Sequence, residues 1–380
     1  MIAFQNVRAS HESFLKEYFR DLQKIFQSES PDFIGNSKSK TLGEFEHAMA
    51  EYLGVKHALG LNSGTDALLL ALDALGVGEG DEVIMPAFGF IATADVVVRL
   101  KAKPVFVDIQ LETFNIDPTL IEGAITERTK AIIPVHLFGQ AAAMTAIMEI
   151  AERHNLALIE DVAQACGAEI AGKKLGAIGT FGAFSFYPTK NLGGAGDGGL
   201  IATNDDELAY KIRLFRDHGR GERGFETIGY NSRLDPIQAL YLRYKLEELD
   251  DSVLERVANA RLYNQLFAET EVIVPGIPDG EDMRHTFNLY TIRIRDRERA
   301  QRFLNEKEIS TAIYYDVVMP YTPALRFLGH REGEFPNSEE AARTVISLPV
   351  WPGLSRQQIK SVATAVTQFL ENNIELGLRH

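Results

Sequence analysis

Lys190 is the side chain whose surroundings in the sequence most clearly predict covalent chemistry. It follows a strand-like apolar run over residues 181–187, and a loop rich in glycine, residues 191–199, comes after it. A lysine held where a strand ends beside a polar loop can lose its proton, and the neutral amine then attacks a carbonyl carbon to form an imine. Because most lysines are solvated surface charges, the prediction depends on the residues that accompany Lys190.

A second candidate is the carboxylate of Asp161, which lies where the apolar run 156–161 ends. In open α/β sheets, ligands bind at the carboxyl ends of the strands. A carboxylate there can pair with a protonated ring nitrogen, and Gln164, three residues later, can hydrogen-bond a substituent of the same ring. The alternative is that Asp161 only caps a helix.

A phosphate site is predicted where a short strand, residues 56–61, meets a helix that begins near Thr65. Free N–H groups and the positive dipole end of a helix attract phosphate, and Gly64 allows its close approach. Ser185, which precedes Lys190 by five residues, can reach the same phosphate. The alternatives are a helix cap without a ligand, and a strand hydroxyl bonded to the backbone.

These three features together predict the cofactor pyridoxal phosphate, which needs an imine-forming lysine, a partner for its ring nitrogen and a phosphate site. The loop also contains G-x-G-x-x-G over residues 194–199. A dinucleotide fingerprint must follow a strand and open a helix, whereas this loop leads into a strand-like run over residues 200–203. We therefore reject a dinucleotide site and expect the glycines to let the chain turn around a bound ring.

The elements that must position these residues alternate between strand and helix patterns from about residue 55 to 215. Such alternation predicts an α/β fold with a mostly parallel sheet covered by helices. After about residue 255 the pattern changes to α+β, so we predict a large cofactor-binding domain over residues 1–250 and a smaller domain over 251–380. Helices are predicted at residues 11–28, 65–75, 143–153, 235–250, 298–307 and 355–372.

The composition is that of an acidic protein of 380 residues, with a formal net charge of −14 and 45% hydrophobic residues. An acidic surface argues against nucleic-acid binding, which needs clustered Lys and Arg. The single cysteine, Cys166, excludes an internal disulfide and fits a reducing compartment. The first residues lack the apolar core of a signal peptide, and no apolar run approaches the roughly 20 residues of a membrane span. We predict a cytoplasmic protein with no membrane partner and no metal site.

The motifs around these residues resemble those of the DegT/DnrJ/EryC1/StrS family of sugar aminotransferases. The resemblance is dense over residues 30–250 and looser elsewhere, and it implies the fold of the aspartate aminotransferases, fold type I among pyridoxal phosphate enzymes. The matching segments begin at Asn62 (NSGTDAL), Gly80 (GDEVIMPAFGFIATA), Val135 (VHLFG), Glu160 (EDVAQA), Ser185 (SFYPTKNLG) and Gly229 (GYNSRLD).

The resemblance implies a role for each candidate residue. Lys190 would carry pyridoxal phosphate as an imine, and Asp161 would keep the ring nitrogen protonated. The other implied contacts are the hydroxyl side of the ring for Gln164, the ring face for Phe90, and the phosphate for Gly64, Thr65 and Ser185. The alternative for Phe90 is an ordinary core phenylalanine.

Asn231 matches a family asparagine that reaches the phosphate from the neighbouring subunit, although the same residue also suits a turn. The match implies a homodimer with shared active sites. The resemblance further implies that L-glutamate donates the amino group and that a keto-sugar, linked to a nucleotide such as UDP or dTDP, receives it.

Four further residues are weaker candidates for contacts with the substrate. His136 and His218 can line the cleft, and each is as readily explained as a structural hydrogen-bonding group. Arg220 and Arg223 lie in a glycine-rich loop before Asn231 and can meet a nucleotide diphosphate, or stay as solvated loop charges.

The sequence departs from the family pattern in the segments where substrate choice lies. Residues 313–320 lack the usual Tyr-Pro-x-Pro-Leu-His-like motif, and Asn288 stands where relatives often have histidine. The identity of the sugar therefore stays open. Two alternatives also remain, an aminotransferase for a cyclic ketone such as a keto-inositol and a regulator that binds the cofactor without catalysis. Lys190 itself argues against the dehydratases of the family, which carry histidine there.

Overall fold

A seven-stranded sheet lies at the centre of this computed structural model, which describes residues 1–7, 12–27, 32, 39–276 and 283–375. Strand β9 pairs antiparallel with β1 and β8, and the other neighbours pair in parallel, which confirms the predicted mostly parallel α/β sheet. In spatial order the strands are β1 (His57–Leu61), β9 (Gly199–Thr203), β8 (Phe181–Ser185), β5 (Ala157–Asp161), β4 (Thr129–Ile132), β2 (Glu82–Pro86) and β3 (Lys103–Val107).

Helices alternate with these strands, as the apolar spacing predicts. One difference concerns the helix predicted over residues 235–250, which is divided into α8 (Pro236–Glu247) and α9 (Leu249–Phe267). None of the described helices is both long enough and apolar enough to cross a bilayer. The other helices are α1 (Leu15–Gln27), α2 (Lys40–Leu53), α3 (Gly64–Ala74), α4 (Ala92–Arg99), α5 (Pro118–Ala124), α6 (Met144–Arg153), α7 (Asp206–Arg216), α10 (Arg297–Glu306), α11 (Pro336–Thr344) and α12 (Arg356–Glu375).

A second hydrophobic core surrounds an antiparallel pair of strands, β13 (Tyr290–Arg293) and β14 (Val345–Leu348). Helices α9, α10 and α12 contribute side chains to it, while Met319 and Phe335 pack on the core of the large sheet. The division near residue 250 therefore remains a prediction. The short strands are β6 (Glu169–Ile170), β7 (Lys173–Lys174) and β12 (Met283–Arg284) in one sheet, and β10 (Arg220–Gly221) and β11 (Gly224–Phe225) in another.

The first residues of the chain form a strap between the second core and the large sheet. The N–H of Ile2 donates to the carbonyl of Glu308 at 2.7 Å, and the Trp351 indole donates to the carbonyl of Ala3 at 3.0 Å. Trp351 is only 8% exposed. The strap brings Gln5 to the wall of the main cavity.

Candidate active site

A cavity of about 490 Å³ lies where β5 and β8 end and α3 begins. This is the edge at which open α/β sheets bind ligands. The predicted residues that line it are Gly64, Thr65, Phe90, Asp161, Gln164, Ser185 and Lys190. The structure thus brings together all the cofactor contacts predicted from the sequence except Asn231.

Lys190 lies in a turn beyond the end of β8 and not on the strand itself. The strand ends at Ser185, and the N–H of Lys190 donates to the carbonyl of Tyr187 at 2.9 Å. Burial lowers the pKa of the Lys190 ammonium to about 8, and the nearby Asp161 carboxylate opposes that effect. A large fraction of the amine is therefore neutral in mildly alkaline solution, as imine formation requires.

Asp161 ends β5 as a buried carboxylate, 7% exposed. It accepts hydrogen bonds from the Thr93 hydroxyl and from the N–H of Ala163, each at 3.1 Å. Burial raises the pKa of the Asp161 carboxyl, which these hydrogen bonds and the charge of Lys190 counteract. Because the described arginines and lysines form no ion pair with Asp161, the site fits a protonated ring nitrogen as its partner.

The amide of Gln164 is held in one orientation by two neighbours. Its Oε1 accepts from the N–H of Phe138 at 2.8 Å, and its Nε2 donates to the Tyr315 hydroxyl at 3.2 Å. Burial raises the pKa of the Tyr315 phenol, so the hydroxyl keeps its proton at neutral pH. Phe90, 57% exposed at the cavity wall, has its ring 6.3 Å from that of Tyr315 and leaves a face open to a flat ligand.

The start of α3 lies unusually close to the two strands beside it. A Cβ on Gly64 would lie 2.7 Å from the Cβ of Ser185, and one on Gly199 would lie 2.2 Å from the carbonyl of Ser63. Ser63 caps the helix by accepting from the N–H of Asp66 at 3.1 Å. The free N–H groups of the first turn and the Ser185 hydroxyl thus border one pocket, which fits a phosphate.

His136 lies outside the cavity, contrary to the expectation that it can line the cleft. It is fully buried, with Nε2 3.1 Å from Glu160 and Nδ1 accepting from the N–H of Ala142 at 3.1 Å. Both ring nitrogens are therefore engaged within the protein. His136 acts as a structural hydrogen-bonding group, which was the alternative interpretation.

The loop between α7 and α8 holds the other weak candidates, and none of them lines this cavity. His218 is exposed, and the Arg220 guanidinium lies 5.4 Å from the ring centroid of Phe225. The backbone carbonyl of Asn231 accepts from the Asn62 amide at 3.4 Å, while the residue itself is exposed. Within this single chain, none of these three residues therefore borders the cavity that contains Lys190. Arg223, on the same loop, is also exposed.

A second, smaller cavity of about 20 Å³ lies behind Lys190. Its wall includes Trp351 and two buried cations, Lys245 and Arg256. Burial lowers the pKa of Arg256 to about 10 and that of Lys245, which also feels Arg256, to about 8. Arg256 Nη1 donates to the carbonyls of Phe287 and Asn288 at 3.3 and 3.5 Å, so it fixes a segment of the main cavity wall.

Sequence reasoning assigned no role to three side chains that the fold brings to the site. Thr93 bonds Asp161, Tyr315 bonds Gln164, and Asn288 lines the cavity. Thr93 lies in a segment recognised for its resemblance, and the other two lie where the sequence departs from the family. No local pattern marks any of them as part of the site.

The fold and the lysine-centred cavity define a class of enzymes, those that use pyridoxal phosphate bound to a lysine. Within that class the chain belongs to the DegT/DnrJ/EryC1/StrS aminotransferase family, whose family model matches residues 16–367. The resemblance seen in the sequence and the aminotransferase activity that it implies are thereby confirmed.

Individual relatives cover nearly the whole chain. A pleiotropic regulatory protein of Geobacillus stearothermophilus is 46% identical, over 94% of this chain and 96% of its own length. The UDP-N-acetyl-3-dehydro-alpha-D-glucosamine 3-aminotransferase of Acidithiobacillus ferrooxidans is 40% identical, over 97% and 98%.

Solved structures that resemble this chain belong to the same class of enzymes. DesV of S. venezuelae, crystallised with a ketimine intermediate, has a TM-score of 0.92 and 39% identity, covering 97% of this chain and 98% of that chain. NtdA of Bacillus subtilis, solved with bound cofactor PMP, has a TM-score of 0.88 and 30% identity, covering 97% of this chain and 85% of that chain. The predicted cofactor, pyridoxal phosphate, is confirmed.

Proposed function

We propose that this enzyme transfers the amino group of L-glutamate to a keto-sugar linked to UDP or dTDP, with Lys190 as its catalytic residue. The observation that carries the proposal is that a lysine of lowered pKa, Lys190, and a buried carboxylate, Asp161, line one cavity. The names of the relatives support the substrate class, since one acts on a UDP-linked dehydro-glucosamine and another on a dTDP-linked trideoxy-glucose.

Bound pyridoxal phosphate supplies an electron sink for the carbon that carries the amino group. The residues of this chain hold it and move the proton. Asp161 keeps the ring nitrogen protonated, because a buried carboxylate without another cation stabilises a positive charge beside it. Once the amino donor is bound, the free Lys190 amine would take the proton from that carbon as a general base and give it up again as a general acid, a task for which a pKa near 8 is well matched.

The remaining contacts orient the cofactor. Gln164 places an amide N–H beside the ring, Phe90 covers one face, and the start of α3 with Ser185 binds the phosphate, with Thr65 at the same wall. Because donor and acceptor use the same cavity in turn, we expect ping-pong kinetics.

We further propose a homodimer in which the loop between α7 and α8 enters the cavity of the partner. Phe225 and Ile228 on this loop are 71% and 89% exposed, which is unfavourable unless another surface covers them. Asn231 would then reach the phosphate, and His218 and Arg220 would contact the substrate from across the interface. A cytoplasmic location also belongs to this proposal, because the single cysteine, buried Cys166, allows no internal disulfide.

One observation favours a second function, since the relative of 46% identity is named a pleiotropic regulatory protein. A regulator that only binds the cofactor would have no need for a free lysine of lowered pKa facing the cavity. A keto-inositol is a further alternative as amino acceptor.

The test is a half-reaction screen. The purified enzyme is converted with L-glutamate to its pyridoxamine form, and UDP- and dTDP-linked keto-sugars and a keto-inositol are added separately while absorbance is recorded. We expect a nucleotide-linked keto-sugar to restore the spectrum of the lysine-bound cofactor, and Lys190→Ala to abolish the change. A response to the keto-inositol alone, or no response to glutamate, would contradict the proposal.

A further inference from the structure

The small cavity behind Lys190 is bordered by positive charge. Besides Lys190 itself, the side chains of Lys245 and Arg256 form part of its wall, and these two residues are only 7% and 8% exposed. No Asp or Glu is among the described residues that line this cavity. Because buried charges are unfavourable unless an opposite charge accompanies them, a wall of this kind favours an anion inside the cavity.

The guanidinium of Arg256 has hydrogen-bond donors that no described residue uses. Nη1 donates to two backbone carbonyls, whereas Nε and Nη2 have no acceptor among the described residues. Neither nitrogen is among the fully buried side-chain atoms that lack a partner, so both border space that water can enter. The small cavity is such a space, and Arg256 forms part of its wall. The guanidinium can therefore donate to an acceptor in the cavity.

Little negative charge from the protein reaches these two cations. Burial alone changes the pKa of Arg256, which falls to about 10. The pKa of Lys245 falls to about 8 through burial and through the charge of Arg256, and the carboxylate of Glu248 opposes this. Glu248 is not part of the cavity wall. At pH 7 both side chains are therefore mostly cationic, and an anion beside them would stabilise the charged forms.

The room in the cavity limits the size of such an anion. A volume of about 20 Å³ is close to what one water-sized particle needs. A halide ion suits this space, whereas a nucleotide diphosphate or the carbon chain of glutamate does not. Thr189 and Ser252 also line the cavity, and each carries a hydroxyl that can donate to an anion.

We propose that the small cavity is a binding site for one singly charged inorganic anion of halide size, such as chloride, which Arg256 and Lys245 hold. The anion offsets two buried positive charges beside Lys190. The inference goes beyond the proposed function and does not depend on the identity of the amino acceptor. Either can therefore fail while the other holds.

The first test is thermal unfolding of the cofactor-loaded enzyme at constant ionic strength and protein concentration. Sodium chloride replaces sodium gluconate stepwise, because the gluconate anion is too large for the cavity. An anion that binds only the folded state stabilises it, so we expect Tm to rise by about 2 °C and then to level off. Arg256→Met and Lys245→Met each remove a cation and should each abolish the rise.

The two variants differ in the risk that they do not fold. Arg256→Met leaves the carbonyls of Phe287 and Asn288 without their donor from Nη1. Lys245→Met replaces a buried cation by an apolar side chain of similar length, a change that is often neutral or stabilising. The result for Lys245→Met therefore decides the question if Arg256→Met does not fold.

Arg284→Met is the matched control, because Arg284 lies outside the cavity and donates to the carboxylate of Asp250 at 2.9 Å. It should keep the full response to chloride. In crystals of the cofactor-loaded enzyme soaked in sodium bromide, an anomalous peak should lie in the cavity and should be absent from Lys245→Met. No rise specific to chloride, the same rise in Lys245→Met, its loss in Arg284→Met, or bromide bound only at the protein surface would overturn the inference.

Discussion

At the scale of the residue, the site depends on two side chains, Lys190 and Asp161, whose pKa values are shifted in opposite directions by burial. Removal from water disfavours the ammonium of Lys190 and the carboxylate of Asp161 alike, while the attraction between the two charges favours both. The result is a lysine with a pKa of about 8 and a carboxylate that is stabilised by a cationic partner. Neither property belongs to the isolated residues.

The opposing effects of burial and of Asp161 on the pKa of Lys190 predict how the capture of the cofactor depends on pH. In enzyme stripped of cofactor, the rate at which Lys190 captures added pyridoxal phosphate should rise as pH passes about 8, because the neutral amine is the nucleophile. Asp161→Asn removes the carboxylate that raises the pKa of Lys190, so the midpoint should move to lower pH. Stopped-flow absorbance measures both profiles. Asp197→Asn, at the cavity wall, is the control, and an upward or absent shift in Asp161→Asn would refute this account.

At the scale of the element, the start of α3 lies close to the neighbouring strands because two glycines at the contact have no side chain. Gly64 and Gly199 allow the first turn of the helix to pack against Ser185 and the start of β9. Neither glycine has a positive φ, so the requirement is for space and not for an unusual backbone conformation. The close approach keeps the helix dipole and the serine hydroxyl directed at one pocket.

Gly64→Ala should therefore weaken cofactor binding more than it weakens the fold. The added methyl pushes the helix start away from Ser185, and we expect the affinity for pyridoxal phosphate to fall by about tenfold. Titration of cofactor-free enzyme measures the effect. Gly123→Ala, in α5 with no atom within 4 Å of the new Cβ, should bind the cofactor as the unaltered protein does. Equal affinity in the two variants would show that the close approach is unimportant.

Local pattern predicted most of this arrangement, because Asp161 and Gly64 lie where apolar strands and an amphipathic helix begin or end. The pattern misplaced the end of β8, since the apolar residues continue beyond Ser185 into the turn that carries Lys190. It also could not separate a buried histidine from one in a cleft, as His136 shows. Asn288 joins the site only through contacts between distant parts of the chain, which spacing does not encode.

At the scale of the whole molecule, the main cavity lacks one of the cofactor contacts predicted from the sequence, Asn231. Asn231 and its exposed, partly apolar loop lie outside the cavity of this chain. A two-fold dimer places the same surface of each subunit against the other, so one loop can serve each site.

The proposed dimer with shared sites predicts complementation between two defective variants. Lys190→Ala and Asn231→Ala enzymes should each be impaired, because one lacks the catalytic amine and the other lacks the contact contributed across the interface. After co-expression, random pairing should restore about a quarter of the unaltered activity, since half of the dimers contain one intact site. The transaminase assay on differently tagged hybrids measures this. Activity no higher than that of the parent variants would exclude the proposed exchange of Asn231.

Trp351, at the small cavity behind Lys190, can report on the cofactor through its fluorescence. It is the only tryptophan of the chain, it is shielded from water, and it borders the same cavity as Lys190. Its emission therefore comes from one known place beside the cofactor, whose absorption overlaps indole fluorescence and changes as the amino group arrives and leaves. The protein thus contains its own fluorescent reporter, and each half-turnover can be followed through the quenching of a single native residue without a dye or a label.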